Sequence, residues 1–306
     1  MKYLAYIIVS ANLRLLAILP RPLLYQIANL VSFTLNHLAS YRKRIITENL
    51  KNAFPEEPDS KIQSIRKKFY RHLADLIIET AMIQYYSRAK LMKMFVFVNP
   101  ELLEKYYNEG RHVIVMGGHY NNWEWSSPFS ITFKHQVIGV YKPLHNSYFD
   151  KAYRRTRSRF GADIVPMGGI VKKLFEYSNI KIPTITGMVG DQRPAKKQIQ
   201  YWTDFLNQKT AMYTGSEKLA KKFDAVVVFI HVGKVRRGTY TATLKLITEN
   251  PSDAAPNEIT EKYTRLLENM ILEEPAHWLW SHRRWKFTYE QWLKMNPSAF
   301  STDPLV

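Results

Sequence analysis

The stretch Gly117-Gly118-His119-Tyr120-Asn121-Asn122-Trp123-Glu124 carries two glycines, a histidine and, five positions after that, a carboxylate. An ionised carboxylate beside an imidazole fixes the ring tautomer. It also stabilises the imidazolium that forms when the ring takes a proton from a hydroxyl. In a continuous α-helix five residues turn the chain by about 500°, so His119 and Glu124 would point apart there. His119 is therefore expected in a loop, with Asn121 or Asn122 capping a helix that opens near Trp123. Glu124 then lies in its first turn, where the helix dipole favours a negative charge. The N–H groups around Gly117 and Gly118 could serve as oxyanion donors, since a residue without Cβ lets a reacting carbonyl approach the backbone. These are the parts of an acyl-transfer site. A lone histidine near a glutamate is more often structural, but its place after an apolar strand favours function. A zincin would need His-Glu-x-x-His on a helix, and there is no cysteine to complete a thiolate site. Neither a metal nor a cofactor is expected.

The elements that must position these residues follow from periodicity. Apolar strand patterns recur at 113–116, 137–141, 164–167, 184–189 and 225–232, separated by helix-length segments. That is an α/β fold, a central, mostly parallel sheet flanked by helices, and its ligand sites lie at the carboxyl ends of strands. His119 follows one such end and Asp191 another, so the two can face one crevice. A short strand is expected at 95–98 and a helix between Asn99-Pro100 and Gly110. A long amphipathic helix runs from Asp59 or Ser60 to about Gln84, with Arg66, Lys67, Lys68, Arg71 and His72 as a basic patch. Further helices are expected at 148–160, 210–223 and 257–273, two strands joined near Gly233, and a loop over 196–205 that could act as a lid.

The sequence resembles the late acyltransferases of lipid A biosynthesis, the lauroyl/myristoyl transferase family within the wider His-x4-Asp/Glu acyltransferase group. The resemblance rests on His119 to Glu124, Tyr141-Lys142-Pro143 with Asn146 and Asp150, and the arginines Arg154, Arg155, Arg157 and Arg159. It continues through Asp191-Gln192, the segment from Thr210 to Lys222 with Gly215, and Trp278-Leu279-Trp280-Ser281-His282-Arg283-Arg284-Trp285-Lys286. It implies that His119 is a general base on an acceptor hydroxyl, supported by Glu124, and that an acyl thioester on acyl carrier protein or coenzyme A is the donor. It further implies that Gly118, Arg157, Arg159, Asp191, Gln192 and Arg283 bind substrate.

Composition fits an anionic partner. The 306 residues hold 44 Lys and Arg against 26 Asp and Glu, a formal charge of +18. Such a charge suits a phospholipid surface, a phosphorylated glycolipid, an acidic carrier protein or nucleic acid. The absence of cysteine excludes disulfides and a thiol nucleophile. Two apolar helices, about 3–19 and 23–38, are followed by Tyr41-Arg42-Lys43-Arg44, a basic step suited to headgroups. Asn12 and Arg14 interrupt the first and Pro20 and Pro22 close it, so shallow insertion is expected rather than a span. Residues 1–45 are thus assigned to membrane attachment, and the resemblance implies that 46–306 form one acyltransferase domain on the cytoplasmic face of the inner membrane. The Trp-rich, Arg-rich stretch 277–285 is expected at the lipid interface. The competing readings are a basic nucleic-acid-binding protein, for which no binding motif is legible, and a non-catalytic lipid binder. An anionic membrane lipid is the expected acceptor, and no nucleic acid is expected as partner.

Overall fold

The apolar run Val113–Gly117 is buried along its whole length, and the rest of the molecule is arranged around it. The computed structural model describes residues 2–124 and 127–296. Four helices open the chain: α1 (Lys2–Ile18), α2 (Arg21–Phe33), α3 (Lys43–Ala53) and α4 (Asp59–Met82). Next come α5 (Arg88–Met94), β1 (Phe95–Phe97), α6 (Glu101–Asn108), β2 (Val113–Gly117), α7 (Ser127–Thr132), β3 (Gln136–Tyr141), α8 (Ser147–Arg157) and β4 (Asp163–Pro166). The chain continues through α9 (Ile170–Asn179), β5 (Thr184–Val189), β6 (Tyr201–Phe205), β7 (Gln208–Met212), α10 (Gly215–Phe223), β8 (Val226–Arg236) and β9 (Thr239–Thr248). It ends with α11 (Glu258–Glu273) and α12 (Tyr289–Met295).

Seven strands form one sheet in the order β1-β9-β8-β2-β5-β3-β4, parallel at every pair except β8 with β9. Successive side chains on a strand face opposite ways. Ile114 and Met116 therefore join an apolar cluster with Phe69, Tyr70 and Leu267, while Val113 and Val115 join another with Leu24, Ala28, Ile78 and Met82. Each fully buried Val, Leu, Ile, Met or Phe side chain among them contributes about 1.5–3 kcal/mol. The sheet is thus covered on both faces, and α4 is long enough to contribute to both clusters.

The sequence pattern misplaces several elements. The 196–205 stretch is not a loop throughout, because it ends in β6, which pairs antiparallel with β7, and the helix expected from Thr210 begins only at Gly215. The strand through Gly233 runs on to Arg236, and the turn falls at Gly238, whose φ of +71° favours glycine. Trp278 and Trp280, expected at a lipid interface, are buried in the core. The helix α12 was not anticipated.

Among the described residues no helix is long and apolar enough to cross a membrane. The N-terminal segment instead divides in two. Helix α2 is tied to the body of the protein, with Leu24 and Ala28 buried and the Tyr25 hydroxyl donating to Glu79 at 3.0 Å. Helix α1 leaves Leu4, Ile8, Leu15 and Ile18 exposed, and Tyr3 and Tyr6 meet Tyr148 and Phe149 of α8.

Candidate active site

Register brings the two chemical ends together. Gly117 of β2 pairs with Val189 of β5, so His119 and Asp191, each two residues beyond its partner, emerge side by side. The connections after β2 and β5 leave in opposite directions, toward β3 and toward β8. A crevice opens where neighbouring strands diverge in this way. The juxtaposition anticipated from two strand exits is therefore present.

Asp191 is 1% exposed and accepts three hydrogen bonds. His119 Nδ1 lies 2.6 Å from Oδ1, while the His119 backbone N–H and the Trp278 indole donate to Oδ2 at 2.8 and 2.7 Å. On the other side of the ring, the Gln192 amide nitrogen is 3.0 Å from Nε2. An amide nitrogen only donates, so Nε2 accepts, and the ring proton sits on Nδ1, shared with Asp191. Burial alone pulls the His119 pKa down, but the charge and hydrogen bond of Asp191, helped by Glu124, raise it above 6.5 in net. Burial likewise opposes ionisation of Asp191, and its bonds to His119 and Trp278 more than offset this, holding the carboxyl below 3.8. The arrangement is an imidazole of fixed tautomer beside an ionised carboxylate, a pairing that can accept a proton at Nε2.

The contact expected between Glu124 and His119 is not made. No helix opens at Trp123, since α7 starts at Ser127 and residues 121–124 turn without capping it. Both asparagines are instead 1% exposed and anchor the loop. Asn121, at φ +50°, donates from its backbone to His277 O at 3.0 Å and from its side chain to Val232 O at 2.6 Å. Asn122 donates to Glu79 at 2.7 Å. Asparagine tolerates the left-handed conformation, and its amide can satisfy buried carbonyls. Glu124 thus makes no hydrogen bond to the ring and pairs with Arg157 of α8. Trp123 meets the His119 ring edge-on, with centroids 5.2 Å apart.

Gly118 sits in close packing. A Cβ there would lie 2.5 Å from Leu267 Cδ1 and 3.5 Å from Asp191 Oδ2. The Gly117 carbonyl is held by the buried Tyr263 hydroxyl at 2.8 Å.

The family model for bacterial lipid A biosynthesis acyltransferase matches residues 1–287. The chain belongs to that family. This acyltransferase is 24% identical over 292 residues to the lipid A biosynthesis acyltransferase of Haemophilus influenzae, covering 93% of the chain and 91% of the relative. It is 22% identical over 275 residues to the lipid A biosynthesis palmitoleoyltransferase of Escherichia coli (88% and 86% covered). To the lauroyltransferase of the same organism it is 22% identical over 276 residues (88% and 87%).

Of the substrate-binding positions expected for the acyltransferase, Gly118, Asp191 and Gln192 surround His119, and Arg157 pairs with Glu124. Arg159 donates to the carbonyls of Gln84 and Tyr86 at 2.9 and 2.8 Å. Arg283 is exposed. Its neighbour Arg284 is the buried one, donating to Ala211 O, and burial lowers its pKa to about 10. Sequence alone could not say which arginine of the pair faces inward. Trp278 was missed as a site residue because its indole was assigned to an interface.

A cavity of about 580 Å³ adjoins the site, within the usual range for ligand pockets. Glu124 and Arg157 belong to its wall, together with Arg155 and Arg159 and with Tyr6, Val9, Leu13 and Arg14 of α1. Its lining is mainly apolar with a few charges, so it suits an amphiphile. Among the described residues no group of three or more His, Asp or Glu side chains is placed to hold a metal.

Proposed function

We propose that this acyltransferase moves a fatty acyl group from an acyl thioester, on acyl carrier protein or coenzyme A, to a hydroxyl or amine of a membrane lipid. The acceptor class we infer is a lipid A precursor or a related lysolipid, in keeping with the printed names of the relatives. The observation that carries the reading is the His119 ring, with Nδ1 on buried Asp191 and Nε2, which faces the Gln192 amide, left as the proton acceptor.

In this mechanism His119 Nε2 takes the acceptor proton as the acceptor oxygen bonds to the thioester carbonyl carbon. The tetrahedral intermediate then collapses, the C–S bond breaks, and the imidazolium returns the proton to the departing thiolate. Asp191 takes the orienting role first assigned to Glu124. The Glu124–Arg157 pair shapes the cavity, and Arg157, which lines it, is the donor we assign to the oxyanion. Within residues 1–45, the exposed apolar side chains of α1 and the basic step at 42–44 support a membrane-attachment role, and we assign the enzyme to the cytoplasmic face of the inner membrane.

Purified protein with lauroyl-acyl carrier protein or lauroyl-coenzyme A and an under-acylated lipid A precursor tests this directly. Wild type forms the further acylated product, and His119→Ala loses about 10²–10⁴ of the rate. Undiminished transfer by His119→Ala would exclude the mechanism.

A further inference from the structure

The lone pair that the mechanism needs is already occupied. With its proton on Nδ1, neutral His119 has a single lone pair, on Nε2, and the Gln192 amide donates to it at 3.0 Å. An acceptor hydroxyl and Gln192 therefore compete for one position. The backbone around Gln192 is fixed: Asp191 and Pro194 are buried, and the Arg193 N–H donates to His282 Nε2 at 3.2 Å. The Gln192 side chain itself is half-buried. Among the described residues its amide makes no hydrogen bond other than the one to His119. A glutamine with three rotatable bonds and one neutral hydrogen bond can swing aside without disturbing the loop that holds Asp191.

We propose that Gln192 is a displaceable cap on the base, holding Nε2 in the resting enzyme so that the thioester is transferred to the acceptor and not hydrolysed. The inference rests on the reading of His119 as general base. Hydrolysis is the side reaction built into any such site: a water oxygen bonds to the thioester carbonyl carbon, the C–S bond breaks, and a fatty acid and the free thiol are released. The water proton passes to Nε2 and then to the thiolate, so this route needs the same lone pair. A lipid acceptor can displace the amide because contacts along the rest of its length favour binding. Water has no such contacts and meets a capped base. Gln192 is in this sense a specificity-determining residue, setting the choice between two nucleophiles.

The test uses the full chain with lauroyl-acyl carrier protein and lauroyl-coenzyme A, reading thiol release without acceptor against transfer to an under-acylated lipid A precursor. Gln192→Ala is expected to raise the ratio of hydrolysis to transfer by at least about fivefold, the equilibrium factor of one neutral hydrogen bond. Gln192→Glu, which offers a carboxylate to the protonated ring, should move the acid limb of the rate profile to higher pH, a shift that loss of packing alone would not give. A readout independent of substrate is carbethoxylation of His119 by diethyl pyrocarbonate, followed by peptide mass spectrometry. It should be faster in Gln192→Ala and in Gln192→Asn, whose side chain is too short to reach. An unchanged ratio together with unchanged carbethoxylation overturns the cap. So does a proportional loss of transfer and hydrolysis with the ring no more reactive, which marks Gln192 as a support. The cap alone fails when His119→Ala abolishes both reactions but Gln192→Ala leaves their ratio unmoved. When His119→Ala retains both, the base reading has failed and the cap falls with it.

Discussion

Replacing Asp191 with Asn changes one heavy atom and should reverse the tautomer of the base. Two N–H donors, the His119 backbone and the Trp278 indole, converge on Oδ2, while Nδ1 alone faces Oδ1. An asparagine must keep its oxygen where two donors point, since the opposite orientation would set its NH2 against both of them. Its NH2 then faces Nδ1, which has to accept, and the ring proton moves to Nε2. A histidine held in the wrong tautomer loses about 10⁴ in kcat, equivalent to ~5.5 kcal/mol of transition-state stabilisation. The fold should survive, because all three donors or acceptors remain partnered. The lost charge-assisted character costs about 1.5–3 kcal/mol for a bond to a charged group. The assays are acyl transfer from lauroyl thioester, nitrogen NMR of His119 to read the tautomer, and denaturant unfolding to separate activity from stability. An Asp191→Asn enzyme within tenfold of wild type, alongside a Glu124→Gln enzyme that is nearly dead, would refute the assignment of Asp191 and restore Glu124 as the partner of the ring.

The remaining predictions concern charge and packing. His119 must be neutral to act, and its pKa lies above 6.5, so kcat/KM should fall as pH drops through that raised value; in Asp191→Asn the limb should shift to lower pH. For stability the signs differ: the contribution of His119 is present below 6.5 and lost as pH rises through its raised folded pKa. That of Asp191 is present above 3.8 and lost as pH falls through its lowered one, which unfolding measured across pH would trace. The Glu124–Arg157 side chains are 19% and 14% exposed, so either single truncation leaves a poorly solvated charge. A double-mutant cycle with Glu124→Gln and Arg157→Met should show a coupling of about 1–3 kcal/mol in kcat/KM; additive losses would mean that the pair does not act as a unit. Gly118→Ala should destabilise by about 1–3 kcal/mol through overpacking. Leu267→Ala in the same chain should relieve part of that loss, since Leu267 Cδ1 is the atom that the new Cβ meets.

Much of the fold was legible because buried parallel strands read as apolar runs. The five runs predicted from sequence all became strands of the main sheet, and both strand exits carry the residues singled out for chemistry. What sequence could not supply was the exit geometry. Glu124 is close to His119 in the chain, yet Asn121 adopts a left-handed conformation and the loop turns the carboxylate toward Arg157. Asp191 is far along the chain yet adjacent through the register of β2 with β5. The tryptophans near the C-terminus were misread for a related reason, as composition favours an interface but only the packed structure shows the Trp278 indole pointing at Asp191. Strand β6 reads as part of a loop, and the end of β7 as the start of a helix, because these polar, aromatic strands lack an apolar run.

Mass spectrometry of total lipids from cells lacking this protein, complemented with wild type or with His119→Ala, bears most directly on the central claim. A lipid species short by one acyl group, restored by wild type and not by His119→Ala, is the predicted result and would name the acceptor. An unchanged lipidome, with any growth defect rescued equally by both forms, would contradict acyl transfer by His119.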